Sequence, residues 1–174
     1  MDARNLNDDL PLLDWADVAA RLDRGITQAP HTGGPDRHTC WLTTIDPDGA
    51  PHVTGVGAVW HEGTFWFVSG EGTRKSRNVA RDPRCAVSVS TAEYDLVLHG
   101  DAERVTDRAT LDRMAAVYAA DGWPAEVDET GTGLTAPFNA PTAGPPPWSV
   151  YRIAPRRATA LLTDDPGGAT SWRF

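Results

Sequence analysis

Three cations at the start of a predicted helix are the residues with the clearest chemical implication. Thr73 is a typical N-cap, and the spacing predicts a helix from Arg74 to about Arg81. Arg74, Lys75 and Arg77 then lie in its first turn, beside the positive end of the helix dipole. That position costs roughly 0.3–1 kcal/mol per cation unless an anion binds there.

The residues around this helix start predict a phosphate-binding site. Gly70 and Gly72 precede the helix, and Asp82-Pro83 ends it. Backbone N–H groups at a helix start, together with two or three cations, form a cradle for a phosphate group. The alternative is a short solvated helix whose charges face water.

Length and charge limit the classes of function. The chain has 174 residues and a net charge of -8, which predicts one domain and argues against general nucleic-acid binding. The basic cluster therefore indicates a small anionic ligand. The sequence has no apolar run of transmembrane length and no signal peptide at its polar start, so we expect a soluble, cytoplasmic protein without a membrane partner.

The cysteines and histidines do not have the spacing of a metal site. Cys40 and Cys85 fall in predicted strands, where reduced core residues are the favoured interpretation. The five histidines, at 31, 38, 52, 61 and 99, show no ligand spacing either. We expect no structural metal.

Periodicity predicts the elements that must position the cations. An amphipathic helix follows a cap at Asp14 and ends at Gly25, and a second long helix spans about 107–120. Alternating patterns predict strands at 40–45, 52–60, 64–68, 85–91, 95–105, 148–153 and 158–162. These short strands without βαβ alternation favour a mainly β (α+β) fold, a closed or split antiparallel β-barrel with two or three flanking helices.

Three segments fall outside this pattern. Residues 1–13 are expected to be flexible, and residues 26–38 form a loop. The Pro- and Gly-rich segment 123–147 excludes regular structure over most of its length and predicts a lid, with the disordered alternative open. The two long loops are the expected walls of a substrate pocket. The aromatic C-terminal tail should pack on the domain or on a partner subunit.

Several motifs in one order resemble the flavin-binding split-barrel superfamily of pyridoxamine 5′-phosphate oxidase, which includes deazaflavin (coenzyme F-420) reductases. They are the strand pair 44–53, the strand 65–69, the helix 73–79 closed by Asp82-Pro83-Arg84, the strand 100–105, the segment 150–155 and the tail 170–174. The similarity extends from about Asp14 onward.

The resemblance implies roles for individual residues. Arg74 and Lys75 match the basic pair that holds the cofactor phosphate, and Val68-Ser69 the strand end beside it. Arg173 matches a late arginine that reaches the flavin. Thr54, Val68, Ser69, Thr73, Arg74, Lys75, Arg77 and Arg173 are therefore the expected cofactor-binding residues. A homodimer with the cofactor at its interface is also implied.

The chain differs from the oxidases at positions that contact the flavin or the substrate in those enzymes. Two strand cations that serve flavin and substrate become Thr54 and Val59, and a cofactor-facing glutamine becomes Asp95. The arginine and histidine for the substrate phosphate become Ala169 and Ser171. The sequence therefore predicts no pyridoxamine phosphate oxidase activity.

The helix pattern Lys75-x-Arg77-Asn78-Val79 is more similar to the actinobacterial deazaflavin-dependent branch. We expect hydride transfer between reduced coenzyme F-420 and a small organic substrate. An FMN-dependent oxidoreductase and a non-catalytic flavin- or haem-binding protein are the alternatives. His52 and His99 are candidate proton donors, although a structural role is the simpler interpretation of each.

Gly55 and Gly57 let a cofactor ring approach the backbone or permit a bend in the barrel, two interpretations of equal weight. Trp60, Trp66 and Trp172 are assigned to packing, with ring stacking as the alternative.

Overall fold

The computed structural model describes residues 1–26, 40–139 and 142–174. Its helices are α1 (Trp15–Asp23), α2 (Arg74–Arg81) and α3 (Arg108–Ala120). Its strands are β1 (Asp2–Asn5), β2 (Cys40–Ile45), β3 (Pro51–Val56), β4 (Ala58–His61), β5 (Thr64–Gly70), β6 (Arg84–Ser90), β7 (Tyr94–Val105), β8 (Glu126–Val127), β9 (Leu134–Thr135), β10 (Trp148–Leu162) and β11 (Gly168–Arg173). None of the helices in the described ranges has the length and apolar composition that crossing a membrane requires.

The strands form one curved antiparallel sheet. Its main path runs β1-β11-β10-β7-β6-β2-β3, and β5 joins β4 to the first half of β10. The long strand β10 therefore pairs with β7 from Val150 to Leu162 and with β5 and β11 on its other edge. This arrangement confirms the expected split β-barrel of mainly antiparallel strands.

Two apolar clusters lie on opposite sides of the sheet. Alternating residues of the strands, such as Leu42, Phe67 and Leu98, fill the barrel interior together with α1. On the outer side, α3 packs Leu111 and Met114 against Trp66 and its neighbours. The second cluster fixes the C-terminal end of α3 beside β4 and β5, next to the candidate site.

Two predicted strand boundaries were wrong. The strand expected at 52–60 divides into β3 and β4 at Gly57, so the bend interpretation holds at that glycine. The strands expected at 148–153 and 158–162 are one strand, β10, with an irregularity between Pro155 and Arg157. Proline has no N–H for the sheet, and the register shift lets the pairing with β7 continue past it.

The N-terminal residues differ from their expectation as well. Within 1–13, expected to be flexible, Asp2–Asn5 forms the edge strand β1 on β11. The Leu13 N–H also donates to the buried Thr170 hydroxyl at 2.9 Å. The expected loop at 26–38 lies outside the described residues except for Ile26.

The Pro- and Gly-rich segment contains one small hairpin, β8–β9, which the sequence did not predict. Leu134 of this hairpin is buried under Trp148, its partner on β10. Downstream, the Trp123 indole donates to the Phe138 carbonyl at 2.6 Å. The described part of segment 123–147 is therefore bonded to the sheet through β9 and packs at the end of α3.

Candidate functional site

The start of α2 has the cap that the sequence predicts. The Thr73 hydroxyl accepts from the Ser76 N–H at 3.3 Å and lies 2.7 Å from the Ser69 hydroxyl. Ser69 ends the inner face of β5, so the strand end and the helix start are joined by a chain of hydroxyl groups. The N–H groups of Arg74 and Lys75 have no acceptor within the helix, which leaves these two available to an anion.

Arg74 is held by a carboxylate rather than left uncompensated. Its Nε donates to Asp46 Oδ1 at 2.8 Å and its Nη2 to Asp46 Oδ2 at 2.5 Å, a bidentate pair. Asp46 is buried, whereas the Arg74 side chain is largely exposed. Three of the five guanidinium N–H donors remain for a ligand. Asp46 thus orients Arg74 and offsets the helix-dipole cost assigned to it from sequence.

A second set of polar contacts links the inner face of the barrel to this pair. The Asn78 amide donates to Asp46 Oδ1 at 2.9 Å and to the Thr44 hydroxyl at 3.0 Å. His52 Nδ1 lies 3.4 Å from the same hydroxyl. Hydrogen bonds from Arg74, and then from Asn78, hold the pKa of Asp46 below its usual value. The carboxylate therefore stays charged.

Lys75 is the least compensated cation of the site and the only lysine of the chain. It is 3% exposed, and its ammonium group donates to the Thr142 carbonyl. No carboxylate of the described residues forms an ion pair with it. Burial lowers the pKa of this amine. A buried ammonium with a neutral acceptor at a helix N-terminus is unfavourable, so it marks the point where a bound anion would stabilise the protein most.

The remaining cations of α2 face the surface. Arg77 is exposed and donates to the Gly72 carbonyl at 2.5 Å, and Arg81 donates to the Ile45 carbonyl. Arg84 instead pairs with Asp82, Nη2 to Oδ2, at 2.6 Å. Unlike Arg84, both Arg77 and Arg81 donate to neutral oxygen atoms of the protein.

Ser69, Thr73, Arg74 and Lys75 form the candidate phosphate site, which we call the cradle. A cavity, which we call the α3 cavity, adjoins it. Its volume is about 280 Å³, and Val68, Val56 and Gly57 form one side of it. Its opposite wall is formed by the end of α3 and by Phe138, Asn139, Thr142 and Ala143. Thr142 belongs to this wall and to the cradle, since it accepts from Lys75 through its carbonyl and donates to the Gly55 carbonyl at 2.7 Å.

The structure brings most of the expected cofactor residues together. Ser69, Thr73, Arg74, Lys75 and Arg77 surround the start of α2. Val68 faces the other side of β5 and lines the α3 cavity. Thr54 is half-buried on β3, on the same face as His52 and Val56. These two positions flank the cradle rather than form it.

Arg173 and His99 lie elsewhere on the chain. Both occupy the outer face of the sheet, where His99, Arg157 and Arg173 are neighbours across three strands. Arg173 is four strand spacings from Thr43, about 19 Å along the sheet. Within one chain it does not join the cradle, and His99 is exposed and separate from His52.

The three tryptophans considered for ring stacking and the two cysteines pack within the apolar clusters. Trp60 stacks edge-on against Phe65, and Trp66 and Trp172 are buried. Cys40 and Cys85 are free and buried, and burial raises the pKa of each thiol to about 12. Within the described ranges, no group of three or more His, Cys, Asp or Glu side chains is placed to hold a metal ion.

Sequence reasoning missed Asp46 and Asn78 as members of the site. Asp46 opens the turn Asp46-Pro47-Asp48-Gly49, which accounts for its type without any distant partner. Asn78 belongs to the helix pattern Lys75-x-Arg77-Asn78-Val79, but nothing in this pattern shows that its side chain points inward. Their partners are 28 and 32 positions apart, so no local signal could reveal them.

Comparison with known proteins identifies the family. The family model "Pyridoxamine 5′-phosphate oxidase" matches residues 28–160, and the chain belongs to this family of flavin-related oxidoreductases. No curated protein sequence matches the chain.

Solved structures share the fold at low sequence identity. Conserved hypothetical protein Rv2991 from Mycobacterium tuberculosis has a TM-score of 0.62 and 21% identity over 90% of this chain and 89% of that one. A pyridoxamine 5′-phosphate oxidase-related, FMN-binding protein from Nostoc punctiforme has a TM-score of 0.58 and 15% identity over 91% and 89%. PhzG from Burkholderia lata, solved with tetrahydrophenazine-1-carboxylic acid, has a TM-score of 0.57 and 11% identity over 91% and 84%.

Proposed function

We propose that this protein is a cytoplasmic oxidoreductase that transfers hydride between reduced coenzyme F-420 and a small organic substrate. The observation that carries the proposal is Lys75, a buried ammonium group at a helix N-terminus with a backbone carbonyl as its acceptor. Such a cation is stabilised by an anionic ligand, and flavin-type cofactors bring one as a phosphate.

The chain offers a distinct role to each residue of the cradle. Lys75 supplies a charge that water does not screen, and Arg74 supplies planar N–H donors held in place by Asp46. Thr73 and Ser69 add hydroxyl groups beside the first N–H groups of α2. The bound cofactor supplies the hydride chemistry, and the protein orients the substrate against it.

Two features support the deazaflavin. Thr54 and Val59 occupy the positions where the oxidases carry strand cations for flavin and substrate. Arg77 and Arg81 are surface cations with backbone carbonyl acceptors, and they suit the carboxylates of a deazaflavin tail.

FMN is the second candidate, and the net charge of -8 favours it. An acidic protein repels a polyanionic tail more than it repels a single phosphate.

We further propose that the protein acts as a homodimer with the cofactor at its interface. The outer face of the sheet exposes Trp41, Val53 and Leu161 by 53%, 56% and 49% of their surfaces. A second copy seated on this face would bury them and would bring the partner's copy of the exposed Arg173 toward a cofactor site.

The experiment that tests the activity is a paired titration at matched ionic strength. The visible spectrum of the purified protein first distinguishes apoprotein, flavin, deazaflavin and haem. The apoprotein is then titrated with FMN and with reduced F-420, and hydride transfer is followed by the absorbance of the reduced cofactor. Tighter F-420 binding supports the proposal. FMN retained through purification would replace the cofactor assignment, and a haem spectrum would favour the binding-protein alternative.

A further inference from the structure

The outer face of the sheet carries a pocket that lies across β1, β11 and the second half of β10. Its volume is about 310 Å³, at the lower end of the range of about 300–1,000 Å³ for small-molecule sites. We call it the arginine pocket, and its polar lining consists of Asp2, Arg4, Arg157, Ser171 and Arg173. The lining has a net charge of +2, whereas the whole chain has a net charge of -8. The pocket is therefore a local region of positive charge on an acidic protein.

The arginines of the sheet differ in whether a carboxylate pairs with them. Seven arginines lie on the described strands, and four of these form ion pairs of 2.6–2.7 Å, namely Arg84 with Asp82, Arg104 with Glu71, Arg152 with Glu103 and Arg156 with Asp101. The other three are Arg4, Arg157 and Arg173, and no carboxylate of the described residues forms an ion pair with them. The three strand arginines without a carboxylate partner in the described ranges are thus the three that line this pocket.

Strand register brings these three side chains together. Arg157 and Arg173 are direct partners on β10 and β11, where opposite side chains lie about 5 Å apart. Arg4 is the direct partner of Ser171, so it lies diagonally from Arg173, at about 7 Å. Like charges at directly opposite positions destabilise a sheet, so an anion between Arg157 and Arg173 would remove an unfavourable interaction.

The arrangement defines two positions for an anionic group. One lies between Arg157 and Arg173, and the other lies beside Arg4 and the Ser171 hydroxyl. A guanidinium group binds a carboxylate through two parallel N–H donors, and the hydroxyl adds a further donor. Two carboxylates match the net lining charge of +2. A single phosphate is compact and compensates only one of the two positions.

We propose that the arginine pocket binds a small organic dicarboxylate, with one carboxylate between Arg157 and Arg173 and the other at Arg4 and Ser171. This site goes beyond the proposed function, because it requires neither a cofactor nor a second copy of the chain. Within one chain it is also separate from the cradle, since Arg173 is about 19 Å along the sheet from Thr43.

Calorimetric titration of the protein as purified tests the class of ligand. The probes are succinate, glutarate and adipate, which differ in the separation of their two carboxylates. Pentanoate is the monocarboxylate of the same length as glutarate, and inorganic phosphate is the compact anion. We expect at least one dicarboxylate to bind about tenfold more tightly than both controls, because it reaches both positions. A wild type that binds no dicarboxylate, or that binds phosphate or pentanoate as tightly, would overturn the proposal.

Single variants test the residues. Arg4→Gln and Arg157→Gln should each weaken binding of the preferred dicarboxylate about three- to tenfold, because each removes one exposed charge from the site. The control Arg156→Gln removes the same charge from the next position of β10, where the side chain pairs with Asp101 outside the pocket, and it should bind as the wild type does. Equal weakening by Arg156→Gln and Arg157→Gln would show attraction to the general charge of this face and would overturn the site.

Melting temperatures separate binding from folding. Unliganded Arg157→Gln should melt no lower than the wild type, because it loses a repulsion between two directly opposite cations. A saturating dicarboxylate should raise the melting temperature of the wild type and of Arg156→Gln, but not that of the double variant Arg4→Gln/Arg157→Gln. If the arginines instead pair with carboxylates of a second copy, the wild type will not bind the dicarboxylates and Arg157→Gln will lower the mass measured by light scattering. That result would overturn the proposal.

Discussion

At the scale of single residues, the fold compensates the cations of the site unequally. Arg74 has a bidentate carboxylate partner, Asp46, whereas Lys75 has a backbone carbonyl. Arg74 thus contributes to the folded structure as well as to the proposed binding. The buried charge of Lys75 is expected to lower the stability of the unliganded protein, a cost that is common at binding sites.

This difference predicts the behaviour of Lys75→Met, a change of similar shape that removes the charge. The unliganded variant should unfold at the same temperature as the wild type or a higher one, because a desolvated cation is lost. Its cofactor affinity should fall tenfold or more, since a charge-assisted contact contributes about 1.5–3 kcal/mol. Thermal unfolding and calorimetric titration measure both effects. The control Arg113→Met, on an exposed part of α3, should change neither, and a large loss of stability in Lys75→Met would contradict this role.

The cradle as a pair is tested by the double variant Arg74→Ala/Lys75→Ala. It should weaken cofactor binding by well over tenfold, because two charge-assisted contacts are lost. Arg108→Ala/Arg113→Ala removes the same charge from α3 and should bind the cofactor as the wild type does. Equal affinity of the two double variants would show that the cradle is assigned to the wrong residues.

Asp46 predicts a pH dependence of stability. Hydrogen bonds from Arg74 and then Asn78 lower its pKa in the folded protein below the ordinary value of 3.8. The carboxylate therefore stabilises the fold above about pH 4, and this contribution is lost as the pH falls through the lower folded pKa. Asp46→Asn should be less stable than the wild type at pH 7, and the difference should shrink below pH 4. Chemical denaturation at a series of pH values measures it, and a difference that stays constant down to pH 2.5 would contradict the assignment.

At the scale of elements, local signals were sufficient for α2 and insufficient for the contacts around it. The N-cap at Thr73 and the stop at Asp82-Pro83 predicted a helix from Arg74 to about Arg81, and α2 has these bounds because capping and proline act over one turn. The break at Gly57 and the continuity of β10 depend on pairing with distant strands, so the alternating pattern alone placed those boundaries wrongly. The Asp46–Arg74 pair also joins elements that are far apart in sequence.

The loop between β8 and β9 depends on one side chain. Asp128 accepts from the backbone N–H groups of Thr130, Thr132 and Gly133 at 3.1, 3.1 and 2.8 Å. Asp128→Ala leaves these donors without their acceptor, so it should destabilise the protein by about 1–3 kcal/mol and speed proteolysis within 123–139. The control Asp112→Ala removes an exposed carboxylate of α3. Equal unfolding midpoints and cleavage rates for the two variants would refute the role of Asp128.

At the scale of the whole molecule, the outer face of the sheet is unusual for a protein surface. Trp41 on β2, Val53 on β3 and Leu161 on β10 are exposed on the face of the sheet that also carries Arg157 and Arg173. The sequence predicted an interface through the tail and the family resemblance. It could not identify this face, because the strand order that assembles it is set by long-range pairing.

The proposed dimer predicts the effect of a charge on this face. Leu161→Glu places a carboxylate where a partner would bury a leucine, so the variant should be monomeric and should bind cofactor more weakly. Leu12→Glu, at an exposed leucine outside the sheet, should leave the mass unchanged. Light scattering at micromolar concentration measures both, and a wild-type mass of one chain would refute the dimer.

In the proposed function, α2 binds the phosphate of a flavin-type cofactor through Lys75 and Arg74. The most direct measurement is a double cycle of binding free energies, with FMN against riboflavin, and F-420 against its phosphate-free deazaflavin, in the wild type and in Arg74→Ala/Lys75→Ala. We predict that the wild type prefers the phosphorylated form by more than tenfold and that the double variant loses this preference while its affinity for the phosphate-free form stays the same. A phosphate preference that is equal in the two proteins would contradict the claim.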